Sequence, residues 1–472
     1  MYDVRSMDAN LFISDVEVQA TLQAARQTAG ESGAVRAILT KAAGFHGLTH
    51  REAAVLLEVT DTETLEEIFA LARTIKEHIY GRRIVIFAPL YLSDYCVNQC
   101  TYCGYNHEHC ITRRKLTQQE LADEVRVLAN MGHKRLALEA GEDPINCPIE
   151  YVLDSIATIY SLRFDNGLIR RVNVNIAATT AEDYRRLKDA GIGTYILFQE
   201  TYHQPTYQQV HPAGPKHHYA WHTEAHDRAM TAGIDDVGVG VLYGLYDWRY
   251  DTVAMLMHAE HLEAVFGVGP HTISMPRIRA AEGVTAQDFP YVVHDADFKK
   301  LVAVLRLAVP YTGMILSTRE PRGYRDEVIA VGISQVSAGS CTGVGGYAHT
   351  GKLGFEATPQ FLPEDHRTPT EMLRDLMHDG YIPSYCTACY REGRTGDRFM
   401  QLAKTGKIAN VCQPNAILTL REYLEDYGDD ELRRIGAEVI ARELDAIPDE
   451  KIREKTRHFL ERVTNGERDL RF

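Results

Sequence analysis

From about residue 83 onward, short apolar runs alternate with amphipathic helical stretches, and this alternation restricts the possible folds more than any other feature of the chain. The runs are Ile84 to Leu90, Arg135 to Ala140, Val172 to Ala177, Thr194 to Gln199, Val237 to Leu242, Thr272 to Met275, Met314 to Ser317 and Gln335 to Ala338. The helices between them have legible ends. Thr117 and Glu120 form a capping box, with Gly132 as its stop; Thr179 and Glu182 open a second box that Gly191 closes. Eight strand-helix units over about 260 residues predict an α/β fold, a (β/α)8 TIM barrel over 83–345. A doubly wound sheet is the competing arrangement, but no Gly-rich dinucleotide fingerprint follows the first run.

Helical extensions flank the barrel. Residues 1–82 read as an N-terminal helical layer, with capping boxes at Ser14/Glu17 and Thr49/Glu52. A third helix from Asp61 to Tyr80 carries Leu65, Ile68, Phe69, Leu71, Ala72 and Ile75 on one face. Residues 346–472 read as a separate C-terminal helical domain, with helices near Thr370–His378, Asp397–Thr405, Leu418–Asp426 and Glu431–Leu444. Gly343 to Tyr347 is Gly-rich but has no Lys-Ser/Thr after it, so it reads as a connection or mouth-covering loop rather than a phosphate cradle.

A net charge of −14 argues against nonspecific nucleic-acid binding and against binding to anionic membranes. The N-terminus shows no basic segment leading into an apolar one, so the expectation is a cytoplasmic protein without a membrane segment. Nine cysteines in such a chain point to metal or catalytic use. Cys110, Cys147 and Cys341 stand apart and read as small buried hydrophobes.

The first cysteine cluster, Cys96-Val97-Asn98-Gln99-Cys100-Thr101-Tyr102-Cys103, has C-x3-C-x2-C spacing in the loop after the first run. Three thiolates can hold three irons of a [4Fe-4S] cube and leave the fourth open. Structural zinc normally takes four protein ligands, and a bacterial ferredoxin has a different spacing. The second cluster, Cys386, Cys389 and Cys412, makes a C-x2-C-x22-C set that again suggests a cube with an open iron. Zinc with a borrowed His is the alternative there.

The first motif resembles the signature of the radical S-adenosylmethionine (SAM) superfamily. With a full barrel and the second cysteine set, the whole chain resembles the tyrosine lyases of that superfamily that mature [FeFe]-hydrogenase. The resemblance implies an enzyme, a radical SAM carbon-carbon lyase. SAM is cleaved to a 5′-deoxyadenosyl radical, the Cα–Cβ bond of L-tyrosine breaks to give p-cresol and dehydroglycine, and dehydroglycine yields CO and cyanide. The product is an iron-carbonyl-cyanide synthon. The implied cofactors are SAM and two [4Fe-4S] clusters, the C-terminal one with a fifth iron bridged by a non-protein cysteine. A reductant such as flavodoxin or ferredoxin and other hydrogenase maturation proteins are the implied partners. The related tyrosine lyase of thiamine biosynthesis shares barrel and signature but lacks the terminal cysteines; it is one alternative, and a noncatalytic iron-sulfur electron carrier is another.

By the same resemblance Tyr102 borders the SAM adenine. The stretch Glu139-Ala140-Gly141-Glu142 resembles the family's Gly-Gly-Glu segment, whose backbone receives the SAM amino group, although Ala140 stands where the first Gly would be. Glu200, ending the fourth run, is a candidate contact to SAM's ribose or methionine, with a solvated loop edge as the other reading. His271 opens the sixth run, which places it at the end of the barrel away from the signature, and it resembles the family's ligand to the fifth iron. Arg319 ends the seventh run and is the first choice for the tyrosine carboxylate, ahead of Arg322 and Arg325; a structural ion pair with Glu320 or Asp326 is the competing role. The histidines at 211, 217, 218, 222 and 226 read as a solvated helix face rather than a zinc site.

Overall fold

The computed structural model describes residues 2–165, 167–349, 355 and 357–472. Eight parallel strands close into a barrel: β1 (Arg83–Ser93), β2 (Arg135–Ala140), β3 (Arg171–Asn175), β4 (Tyr195–Glu200), β5 (Val237–Val241), β6 (Thr272–Ser274), β7 (Gly313–Leu316) and β8 (Gln335–Ser337). Closure comes from β1, which pairs with β2 through Ala88 opposite Leu136 and with β8 through Val85 opposite Gln335. That closure excludes the doubly wound sheet. Val237 to Val241 are buried throughout, as expected for a strand covered on both faces. Gly240 belongs there because a Cβ would stand 2.6 Å from the ring of Phe198, its pairing partner on the neighbouring strand β4.

Most helix ends are set as the sequence indicates. Thr49, Thr117 and Thr368 each form a complete capping box with the Glu three residues on. Two caps differ. Ser14 accepts from the Glu17 amide, but the Glu17 carboxylate turns to Arg51 and His50. The helix Ala181–Asp189 is capped by Thr180, which accepts from the Asp183 amide, one position beyond the expected box.

The C-terminal segment departs furthest from expectation. It contributes a ninth strand, β9 (Ile382–Ser384), parallel to the start of β1 with Arg83 opposite Ile382. The sequence conceals it because Ile-Pro-Ser is too short for a period and Pro is tolerated only at a sheet edge. A helix expected from Leu418 starts at Ala409 and carries Pro414 within it, and a further helix, Glu450–Thr464, was not anticipated. The segment therefore docks on the barrel through β9 and carries Cys386 to its underside.

Two cysteine sites at opposite ends of the barrel

The signature loop leaves β1 at the barrel's C-terminal end, where enzymes of this architecture place their chemistry. Its backbone is tied down on two sides. Val97 N donates to Glu142 O at 2.8 Å, and Gln99 N and Thr101 N donate to Ala213 O and Val210 O at 3.1 and 3.0 Å. Asn98 links both sides, its amide donating to Glu142 Oε2 at 2.6 Å and its oxygen accepting from Lys216 N at 2.9 Å. Cys96, Cys100 and Cys103 thus border one cavity, together with Tyr102, Glu139, Gly141, Glu142, Glu200, Lys216 and Arg319. Burial raises the pKa of all three thiols, Cys103 to about 11, so a bound cation is what would bring them to thiolates.

The strand ends shape the rest of this upper cavity. Desolvation pushes Glu139 up to about 8, against the Asn175 amide 2.7 Å away and the Arg319 charge. Ala140 has no positive φ, so Ala is compatible with the backbone there. Glu200 has φ of 69°, a left-handed conformation that a non-glycine residue holds only where its surroundings impose it. Two contacts do so. Lys216 Nζ lies 2.8 Å from Glu200 Oε1, and buried Asp251 accepts from Thr201 Oγ1 and Tyr202 N at 3.0 and 2.7 Å. The Tyr102 hydroxyl lies 2.7 Å from His211 Nε2.

Arg319 faces this cavity and also an adjoining chamber lined by Phe87, Tyr91, Phe198, Ser337 and Phe361. Its guanidinium stacks 3.5 Å from the Phe361 ring centroid. Glu320 is taken by Arg277 and Arg279, and Asp326 by Arg367, so among the described residues Arg319 forms no ion pair. Arg322 and Arg325 are paired with Asp375 and Asp365. Of the three arginines, Arg319 alone presents its charge to the chamber.

At the other end a second cavity is bordered by Cys386, Cys389 and Cys412, by His271, and by Arg83, Arg135 and Arg171 at the first positions of β1, β2 and β3. β9 and the short helix Ala388–Arg391 deliver the first two thiols, and the first turn of Ala409–Tyr427 the third. The Cys389 thiol donates a hydrogen bond that, against burial and helped by the Arg83 charge, holds Cys412 below the usual thiol range. His271 precedes β6, its amide donating to Val237 O at 2.8 Å. Burial pushes its imidazole down to about 4, leaving it neutral, as a metal ligand must be. Among the described residues no three His, Cys, Asp or Glu side chains converge on a position for a single metal ion. Three thiols bordering an open space instead suit a polynuclear cluster, in which each sulfur holds a different iron.

The geometry corrects some sequence expectations. His211, His222 and His226 are buried, not solvated, and bond through ring nitrogens to the carbonyls of Tyr207, Phe198 and Gly238. The helical spacing is identical for a buried and a solvated face, and here the tyrosines around them decide. Cys110 is exposed rather than buried, and Cys147 and Cys341 are partly buried. Lys216, Asn98, Asp251 and the three floor arginines were missed. Only the arginines left a signal, since each opens or directly precedes one of the first three apolar runs.

Comparison with known proteins agrees with this architecture. The radical SAM superfamily profile matches residues 90–259, and the biotin and thiamin synthesis associated domain matches 274–382. A crystal structure of HydG, a maturase of the [FeFe]-hydrogenase, shares 61% identity with a TM-score of 0.95, covering 98% of this chain and all of that one. HydG from Carboxydothermus hydrogenoformans shares 38% identity with a TM-score of 0.83, over 96% of this chain and 99% of that one. The 2-iminoacetate synthase of Escherichia coli (strain K12) is 30% identical over 353 residues, 75% of this chain and 90% of the relative. No described helix is long and apolar enough to cross a membrane. The chain belongs to the radical SAM superfamily and, within it, to the HydG family.

Proposed function

We propose that this protein is a radical SAM tyrosine lyase that makes CO and cyanide for [FeFe]-hydrogenase assembly. Cys96, Cys100 and Cys103 would hold the [4Fe-4S] cluster that binds SAM, and Cys386, Cys389 and Cys412 a second cluster. His271, which borders the same cavity, would hold a fifth iron beside that cluster. When bound, the upper cluster and SAM supply a 5′-deoxyadenosyl radical. Hydrogen is taken from the amino group of L-tyrosine, and its Cα–Cβ bond breaks to p-cresol and dehydroglycine. The latter passes down the barrel and is converted to CO and cyanide, leaving as an iron-carbonyl-cyanide synthon.

The observation that carries this reading is that one barrel opens on a three-cysteine cavity at each end. The chain's own residues have separable tasks between them. Arg319 receives the tyrosine carboxylate through its planar fork, being the one of Arg319, Arg322 and Arg325 not consumed by an ion pair among the described residues. The backbone of Glu139 to Glu142, including Gly141, receives the SAM amino group, Tyr102 borders the adenine, and Glu200, set by Lys216 and Asp251, reaches the ribose or methionine. A flavodoxin or ferredoxin supplies the electron, and other maturation proteins accept the product.

The test is anaerobic reconstitution with iron and sulfide, then reductant, SAM and tyrosine, with CO measured per p-cresol. CO accompanying p-cresol supports the assignment. Abundant p-cresol without CO favours the chemistry named for the 2-iminoacetate synthase relative instead. Arg319→Lys is expected to abolish tyrosine cleavage while SAM still binds, because an ammonium cannot reproduce the bidentate contact; undiminished p-cresol would remove Arg319 from the site.

A further inference from the structure

The chamber adjoining the upper cavity has one acid and one base in its wall. Glu139 at the end of β2 and Arg319 after β7 are its only charged lining residues among those described; the rest are apolar, aromatic or neutral and polar. Both also border the cavity of Cys96, Cys100 and Cys103, so the pair stands where the two spaces meet. Among the described residues they form no ion pair with each other. Arg319 stacks on Phe361, and Glu139 Oε2 accepts from Asn175 Nδ2 at 2.7 Å. Glu139 Oε1 has no hydrogen-bond partner among the described residues.

A carboxyl and a guanidinium held apart in a largely apolar space complement the two ends of a zwitterion. The other acids of the upper site are engaged elsewhere: Glu200 pairs with Lys216, Glu142 accepts from Asn98, and neither lines the chamber. Tyr91, the remaining titratable group facing Glu139, donates to Gln360 Oε1 at 2.9 Å, and burial holds its pKa well above the usual tyrosine value. Taking a hydrogen atom from an ammonium in such a space would leave a radical cation without solvent, whereas a neutral amine leaves a neutral radical. The ammonium therefore has to lose a proton first. With the α-carboxylate on Arg319, Glu139 is the acceptor available in the wall.

We propose that the Glu139 side chain is the catalytic base that takes a proton from the α-ammonium group of the bound amino acid before hydrogen abstraction. This deepens the functional reading above and rests on it, and it is separate from the backbone role of Glu139 to Glu142 toward SAM. An O–H bond forms at Oε1, one N–H bond of the ammonium breaks, and its electron pair stays on nitrogen; nothing is oxidised or reduced. Burial, which raises the Glu139 pKa to about 8, makes its carboxylate a stronger base than one in water and brings it toward the range of an amine.

The test compares the reconstituted full-length enzyme with Glu139→Gln, which keeps the shape of the side chain and removes its basicity. With SAM bound and no reductant, titration of L-tyrosine in buffers of different ionisation enthalpy counts the protons exchanged on binding. At about pH 7 Glu139 and the free ammonium each carry a proton and the complex keeps one, so the parent should release about one proton and Glu139→Gln none. The rate of p-cresol formation should fall by about 100-fold in Glu139→Gln at about pH 7, and most of that deficit should disappear toward about pH 9.5, where solution supplies the neutral amine. Equal proton release by the two proteins, p-cresol formed by Glu139→Gln at the parental rate, or a deficit of constant size across pH each overturns the proposal.

Glu139→Asp separates basicity from fit, and should retain the parent's proton release and pH profile at a lower rate. Glu139→Gln should still bind SAM, read as an unchanged shift of the reduced upper cluster's paramagnetic signal on adding SAM. Loss of that shift would assign the side chain to SAM and overturn the proposal. A parent enzyme that forms no p-cresol defeats the tyrosine reading and the proposal with it; p-cresol from the parent and, undiminished, from Glu139→Gln defeats the proposal alone.

Discussion

A methyl group at position 141 would stand inside contact distance of the Tyr95 carbonyl oxygen and 3.1 Å from Cys96 Cβ. Gly141 N also donates to Ser93 O at 2.9 Å, so neither the loop nor the β2 end can withdraw without losing a hydrogen bond. Gly141→Ala is therefore expected to displace the first thiol. Reconstituted iron should fall by about half, from about nine to about five per chain, with the lower set still loaded; a variant with full iron and normal SAM binding would show that the loop yields. One position earlier the argument reverses. Ala140 has no positive φ, so its backbone is one any residue adopts. Glu200 is held differently, since its left-handed backbone depends on Asp251 clamping the next two residues. Nothing in the sequence marks that dependence, because Asp251 is distant in the chain and reads as an ordinary first-turn acid of its helix.

At the scale of elements, the barrel was legible and its attachments were not. All eight apolar runs became strands within two or three residues of the expected bounds, because strands buried on both faces leave continuous apolar stretches between capped helices. The cysteine motifs were legible for a similar reason, their spacing being local. What joins distant segments leaves no such trace, and β9 and the arginine cross-links of the C-terminal segment are examples. Buried Asp365 is held between Arg325 at 2.7 Å, on the helix Arg322–Val331, and Arg367 at 2.6 Å. Arg367 reaches on to Asp326 and Asp375, fastening the C-terminal segment to the barrel wall. Burial raises the Asp365 pKa, but the hydrogen bonds and charges of Arg367 and Arg325 outweigh it and hold the carboxyl down at about 2, below its usual 3.8. Because the folded value is the lower one, this stabilisation is complete above about pH 4 and lost as pH falls through about 2. Asp365→Asn is expected to cost about 3–5 kcal/mol at neutral pH, as Arg325 is left buried without its counter-charge. It should also flatten the acid limb of the stability curve. Denaturant unfolding of both proteins at pH 7 and pH 3 measures this, and equal losses at the two pH values would mean that the pair contributes no linkage.

For the whole molecule, the parallel barrel itself separates the two sites. Loops after the strands can reach only the C-terminal end and residues before them only the other, so the signature loop and His271 lie apart by topology. The C-terminal segment reaches the far end because β9 runs parallel beside the start of β1 and hands the chain directly to Cys386. Between the two cavities lies the barrel interior, lined on its upper side by Phe87, Ala137, Phe198 and Ile315, and in the proposed chemistry the first reaction needs nothing from the second. Cys412 is where this independence can be tested, since it is buried in the first turn of a long helix and contacts neither the signature loop nor Arg319. Cys412→Ala is expected to leave p-cresol formation within about twofold of the parent. CO and cyanide should fall by at least about tenfold, since removing even a group that only supports a metal ligand costs about 10- to 100-fold, and dehydroglycine should appear in the medium as glyoxylate after hydrolysis. Simultaneous quantification of p-cresol, CO and glyoxylate decides between the outcomes. If p-cresol and CO decline together, the two ends are coupled in the chemistry itself, and the barrel is not merely a passage between independent sites.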